Sequence, residues 1–130
     1  MNILVAYDGT REAKEAARVA TRHAKAFNAR IVLAYSMVGG PEIPKKEFEQ
    51  AEKELQRQEM ALKEEGFECE GVLSVRGMEI GEDIIKLAEE KQAEEIIIGI
   101  QRKSKVGKLL FGSTAQYIIL NAACPVVTVR

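Results

Sequence analysis

Ile3-Leu4-Val5-Ala6-Tyr7 runs without a polar interruption into Asp8-Gly9-Thr10, and a stripe of Ala13, Ala16, Ala17, Ala20, Ala24 and Phe27 follows at helical spacing. A strand with one wet face alternates apolar and polar residues. A continuous run suits a strand covered on both faces, as in a parallel sheet sandwiched by helices. The same texture returns in Ile31-Val32-Leu33-Ala34-Tyr35, in Ile96-Ile97-Ile98 and in Val126-Val127-Thr128-Val129. Glu70-Gly71-Val72-Leu73-Ser74-Val75 is a weaker fifth strand.

Between the strands lie three further helical periods, marked by Phe48, Ala51, Leu55 and Leu62, then Ile80, Ile84, Leu87 and Ala88, then Ala115, Ile118, Ile119 and Ala122. Gly66 and Phe67 end the second helix, and Pro125 stops the fourth. The order β-α-β-α-β-α-β-α-β predicts a doubly wound α/β fold, with a parallel sheet and helices on both faces. The small residues of the first helix would let it lie close against the sheet. A length of 130 residues falls in the usual single-domain range of roughly 100–200, so residues 1–130 are read as one domain.

Composition narrows the function classes. The 19 basic and 20 acidic side chains leave a net charge of -1, which gives no general attraction to nucleic acid or to an anionic membrane. Cys69 and Cys124 form no C-x-x-C and are too few for a disulfide framework or a tetrahedral zinc site; two free thiols are expected. Met1-Asn2 leads straight into the first strand without a basic leader, and no segment approaches the ~18 consecutive apolar residues of a membrane span. The expected location is the cytoplasm.

In open α/β sheets, ligands sit beyond the carboxyl ends of the strands, where the strand order reverses. Those ends carry Asp8-Gly9-Thr10 after the first strand and Gly99 after the fourth. A long segment from Gln101 then returns to Gly112-Ser113-Thr114 at the start of the fourth helix. A helix N-terminus with free N–H groups, a glycine and a hydroxyl is suited to an anion, and Arg102, Lys103, Lys105 and Lys108 add positive charge. The plainer reading gives Asp8 a turn, Thr10 and Ser113 ordinary caps, and the basic residues a solvated loop. His23, the single histidine, reads as a helix-flank residue. No Walker loop, dinucleotide-binding glycine fingerprint, nucleophile elbow or H-E-x-x-H is present in the sequence.

Ile98-Gly99, Gly112-Ser113 and the closing Cys124-Pro125-Val126-Val127-Thr128-Val129-Arg130 resemble the C-terminal signature of universal stress proteins. Asp8-Gly9-Thr10 and Arg76-Gly77 fit the same pattern, and the resemblance covers essentially the whole chain. It implies a Rossmann-like, five-stranded parallel sheet in the order 3-2-1-4-5, and a G-x-x-G-x9-G-[ST] loop that holds ATP phosphates. Gly99, Gly112 and Ser113, with Ile100 and Thr114 beside them, would surround those phosphates. Asp8, reached through Ala6 and Tyr7, and the backbone near Ser36 would hold the adenosine end. Any Mg²⁺ would be carried mainly by the phosphates and water.

One departure stands out. Arg102 occupies the second glycine position of the motif and Lys105 another where glycine is common. A β-carbon makes positive φ and close backbone approach harder. Arg102 could close the pocket, swing outward, or offer its bidentate guanidinium to a phosphate.

Four readings follow. The first is an adenine-nucleotide-sensing stress regulator. The second is a nucleotide-independent interaction protein of the same fold, with Arg102 closing the pocket. The third is a slow ATP hydrolase or phosphotransferase, for which Asp8 is the single nearby carboxylate and no partner base is evident. The fourth, nucleic-acid binding through the basic loop, is opposed by the near-neutral charge. The strand 126–129 would lie at a sheet edge, apolar apart from Arg130, and the resemblance implies a homodimer through it.

Overall fold

The computed structural model describes residues 1–39, 42–101 and 112–130. The elements alternate as expected: β1 (Asn2–Ala6), α1 (Arg11–Phe27), β2 (Arg30–Ser36), α2 (Lys45–Glu64), β3 (Cys69–Ser74), α3 (Ile80–Glu90), β4 (Ala93–Gly99), α4 (Ser113–Asn121) and β5 (Val126–Val129). All pairings are parallel, in the order β3-β2-β1-β4-β5. The chain steps outward from β1 to β3, then crosses back to β4 on the other side. Crossovers of one hand therefore place α1 and α2 on one face, and α3 and α4 on the other.

Strand alternation sorts the continuous apolar runs between two cores. Ile3 and Val5 of β1, Tyr7 just beyond its end, Leu33 of β2 and Ile97 of β4 face α1 and α2. Leu4, Ala34, Ile96 and Ile98 face α3 and α4. Both faces are covered, so neither parity can be polar. The third strand begins one residue earlier than the sequence suggests, because β2 sets its register: Ile31 pairs with Cys69 and Ser36 with Ser74.

Local chemistry fixes the helix ends. Thr10 caps α1, its hydroxyl oxygen accepting from the Ala13 N–H at 3.2 Å. The α2 terminus closes with Gly66 at φ +96°; its N–H donates to the Lys63 carbonyl and that of Phe67 to the Leu62 carbonyl. That pair of bonds needs a left-handed residue at the glycine.

Three stripe residues are more exposed than their spacing suggests. Phe27, 56% exposed, is the last residue of α1 and rests edge-on against His23 rather than on the sheet. Phe48 sits in the first turn of α2, ahead of its first buried residue, Ala51. Ile119 is 40% exposed, because α4 covers a narrow edge of the sheet and turns mainly Ile118 into the core. Among the described residues, no helix is long and apolar enough to cross a membrane.

Candidate functional site

At the carboxyl ends of the strands, a cleft of about 350 Å³ opens between β1, β2, β4, α3 and the start of α4. That volume lies within the roughly 300–1,000 Å³ typical of small-molecule sites. Its position is the topological switch point, since β2 and β4 flank β1 and their following connections leave on opposite faces.

The walls differ in character. Ala34, Ile80, Ile84, Ile98, Ala115 and Ile118 give an apolar lining, while Asp8, Thr10, Ser36, Gln101, Ser113 and Thr114 supply polar atoms. Among the described residues, Asp8 is the one charged side chain on the wall. Its Oδ1 accepts from the Thr10 N–H at 3.0 Å and from the Thr10 hydroxyl at 2.6 Å, which fixes the turn between β1 and α1. The turn reading of Asp8 and the capping reading of Thr10 therefore both hold, and both residues still line the cleft.

The two helices that begin here are finished differently. Thr10 occupies an N–H of α1, whereas Gly112 caps α4 with no side-chain cap bond. The first backbone bond of α4 runs from Gln116 N–H to the Gly112 carbonyl at 3.1 Å. The N–H groups of Ser113, Thr114 and Ala115 precede it, the donors that an anion at a helix N-terminus uses.

The two glycines also serve different ends. A β-carbon on Gly99 would stand 2.4 Å from the backbone carbon and oxygen of Glu12, so this glycine lets β4 pass under the first turn of α1. A β-carbon on Gly112 would meet nothing within 4 Å among the described residues, and its φ of -66° is open to any residue. Packing explains Gly99. Gly112 faces open cleft.

Tyr7 contributes to the cleft from the end of β1, but its ring belongs to the opposite core. Its hydroxyl donates to Glu54 Oε1 at 2.7 Å. Burial, reinforced by the Asp8 charge and partly offset by Arg57, pushes that hydroxyl up to about 12. Tyr35 donates to the Asp8 carbonyl at 3.3 Å, stiffening the same turn from β2.

Behind the β2 wall lies a buried charged network. The Ser36 hydroxyl donates to Asp83 Oδ2 at 2.6 Å, and Arg76 donates to Asp83 Oδ1 through Nε at 2.8 Å. Arg76 also pairs with Glu90. Asp83 is 1% exposed. Burial works against its charge, but hydrogen bonds from Ser36, Ser74 and Arg76, with the Arg76 charge behind them, outweigh that and hold the carboxyl below its usual range.

Residues 1–130, the whole chain, match the universal stress protein family. The chain belongs to this family. A universal stress protein of Thermus aquaticus is 36% identical to it over 137 aligned positions, covering 98% of this chain and 97% of the relative. A universal stress protein of Archaeoglobus fulgidus is 30% identical with a TM-score of 0.83, covering 99% of this chain and 91% of that one. A universal stress protein structure from Archaeoglobus fulgidus in complex with dAMP is 29% identical with a TM-score of 0.81, covering 99% of this chain and 95% of that one.

In this universal stress protein the cleft brings together Ala6, Tyr7, Asp8, Ser36, Gly99, Ile100, Gly112, Ser113 and Thr114 from four separate stretches of chain. Arg102, Lys103, Lys105 and Lys108 lie outside the described residues, as do Gly40 and Pro41. The sequence reading missed Asp83. Its spacing held a clue: three residues after Ile80 and one before Ile84, it falls on the apolar stripe of α3, where a carboxylate needs partners. Among the described residues, no group of three or more His, Cys, Asp or Glu side chains could hold a metal ion.

Proposed function

We propose that this chain is a cytoplasmic stress-response regulator that acts as one domain and binds an adenine nucleotide, ATP foremost, in the cleft at the ends of β1 and β4. The observation that carries the reading is the meeting of Asp8, Gly99 and the glycine-opened start of α4 around one cavity at the switch point. The apolar half suits a flat base. The N–H groups of Ser113, Thr114 and Ala115 suit phosphate oxygens. A relative 29% identical over nearly the whole chain, in complex with dAMP, supports an adenine ligand. Mg²⁺ would arrive on the phosphates with its water shell, since the described walls offer it Asp8 as their one carboxylate. Binding rather than turnover is the assigned role, because Asp8 already anchors Thr10.

The same chain would act as a homodimer through strand 126–129. Tyr117, Ile119 and Leu120 of α4 are exposed, Leu120 at 80%, and β5 forms one end of the sheet. Apolar edges of this kind find a partner strand. These surfaces favour, as the second reading, a nucleotide-independent interaction protein.

Calorimetric titration of ATP into nucleotide-stripped protein, with and without Mg²⁺, separates the two. The expected result is saturable binding that Gly112→Val weakens by about ten-fold or more, because the new side chain fills the cleft. A folded protein that carries no nucleotide on purification and gives no heat with ATP would leave the interaction reading in its place.

A further inference from the structure

β3 and β5 are the two edge strands of the sheet. In a parallel pair, alternate residues turn both backbone groups toward the neighbouring strand, and the residues between them turn both away. The Ile31 N–H donates to the Glu68 carbonyl and the Met37 N–H to the Ser74 carbonyl, each at 2.9 Å, so the even-numbered residues of β3 face β2. Cys69, Gly71 and Leu73 therefore turn their N–H and C=O groups along the free edge. Such a row is a template for another strand.

In the middle of this row one donor is already taken. Glu59 reaches over from α2, and its Oε1 accepts from the Gly71 N–H at 3.0 Å. Its Oε2 accepts from Lys63, one helical turn further on, at 2.7 Å, which holds the carboxylate in place. The residue at position 71 fits this contact. Its φ is not positive, so the backbone conformation does not call for glycine. The space does: a β-carbon there would stand 2.5 Å from Glu59 Oε1 and 3.1 Å from Leu55 Cγ. Glycine inside a strand weakens it and marks a close approach by another group. Here that group is a carboxylate of the same chain.

We infer that Glu59 closes the β3 edge: its carboxylate occupies the position that the carbonyl of an incoming strand would take, so that a second copy of the chain cannot add there. An added strand would run about 4.8 Å from β3, through the space that the Glu59 side chain fills. The consequence is directional. A sheet with two open edges can extend copy by copy, whereas one with a closed edge must stop. Self-association is thereby kept off β3, with or without a nucleotide in the cleft.

Glu59→Ala, Glu59→Gln and Gly71→Ala test this in the full chain, each checked for a cooperative thermal transition. Gly71→Ala attacks the same contact from the other side, pushing the carboxylate off the N–H. Two readouts are taken: sedimentation velocity from low to high micromolar protein, and residue-resolved amide hydrogen exchange. In Glu59→Ala and Gly71→Ala the amide at position 71 should exchange about ten-fold faster or more in dilute protein, the scale of one lost hydrogen bond to a charged group. Both variants should then form species larger than any wild type forms as concentration rises, with new protection at Leu73. Glu59→Gln keeps a carbonyl acceptor and should sediment as wild type does. Folded Glu59→Ala and Gly71→Ala proteins that sediment as wild type at every concentration would overturn the inference, leaving Glu59 as no more than a partner for one N–H. Larger species without new protection at Leu73 would also overturn it, because the association would then lie elsewhere.

Discussion

The two faces of one sheet have been given opposite tasks. Beneath α1 the packing is closed: Ala13, Ala16, Ala17 and Ala20 bring the helix backbone down onto the strands until Gly99 has no room for a β-carbon. Beneath α3 and α4 the layer parts at the strand ends and leaves the cleft. Their ionisable groups differ in the same sense. The closed face holds weak acids in the neutral form, Tyr7 and Cys69, each pushed up to about 12 chiefly by burial. The cleft face keeps Asp83 charged, opposite Arg76. A sheet of uniform backbone thus becomes scaffold on one side and carries the candidate binding cleft on the other. The small side chains of α1 and the polar ends of β2 and β3 make the difference.

Neighbouring residues on β4 give the sharpest test. Ile97 points into the closed face and Ile98 into the cleft face, where it lines the cavity. Ile97→Ala should cost about 4 kcal/mol, because a void deep in the closed core cannot relax. Ile98→Ala should cost about 2 kcal/mol, since its space adjoins a cavity that already exists. Equal losses in denaturant unfolding would break the contrast.

The glycines come next. Gly99→Ala should destabilise by about 3 kcal/mol with or without nucleotide, because Glu12 backbone must move. Gly112→Ala should change stability by less than about 0.5 kcal/mol, since the added methyl meets none of the described residues within 4 Å. A Gly99→Ala protein of normal stability would mean that the helix is not held as closely as its geometry requires.

The last contrast is read in pH. Tyr7 is raised from 10.0 to about 12 and Cys69 from 9.0 to about 12. The folded state therefore resists their ionisation, and stability present below pH about 9 is lost as pH rises toward 12, by about 2 kcal/mol for Tyr7. Asp83 has the opposite sign. Its lowered value contributes stability above pH about 4 that is lost as pH falls through that lowered value. In pH-dependent denaturant unfolding, Tyr7→Phe should flatten the alkaline limb alone and Asp83→Asn the acid limb alone. Coupled changes in both limbs would show that the faces do not act separately.

Most of the architecture was legible because it is written in local patterns. Continuous runs at 3–7, 31–35, 96–98 and 126–129 required covered strands, and the helical stripes between them required helices. The register of β3 was not legible, since pairing with β2 sets it. The exposure of Phe27 and Ile119 was not either; both depend on how far a helix overhangs the sheet.

The candidate site divides in the same way. Asp8, Gly99 and Gly112-Ser113 were visible as motif residues at strand and helix ends. Their types announce turns, close approaches and anion contacts. The tertiary structure decided what each does: Gly99 answers to α1, Gly112 to the open cleft, and Tyr7 turns its ring to the far face. It alone joined Ser36, Ser74, Arg76 and Asp83, which lie on β2, β3, the turn after it and α3. A sequence fixes which side chains can form strands, turns and caps, because those forces act between near neighbours. Which hydroxyl meets which carboxylate depends on strands paired across the sheet and a helix laid over them, and those distances exist only in the folded chain.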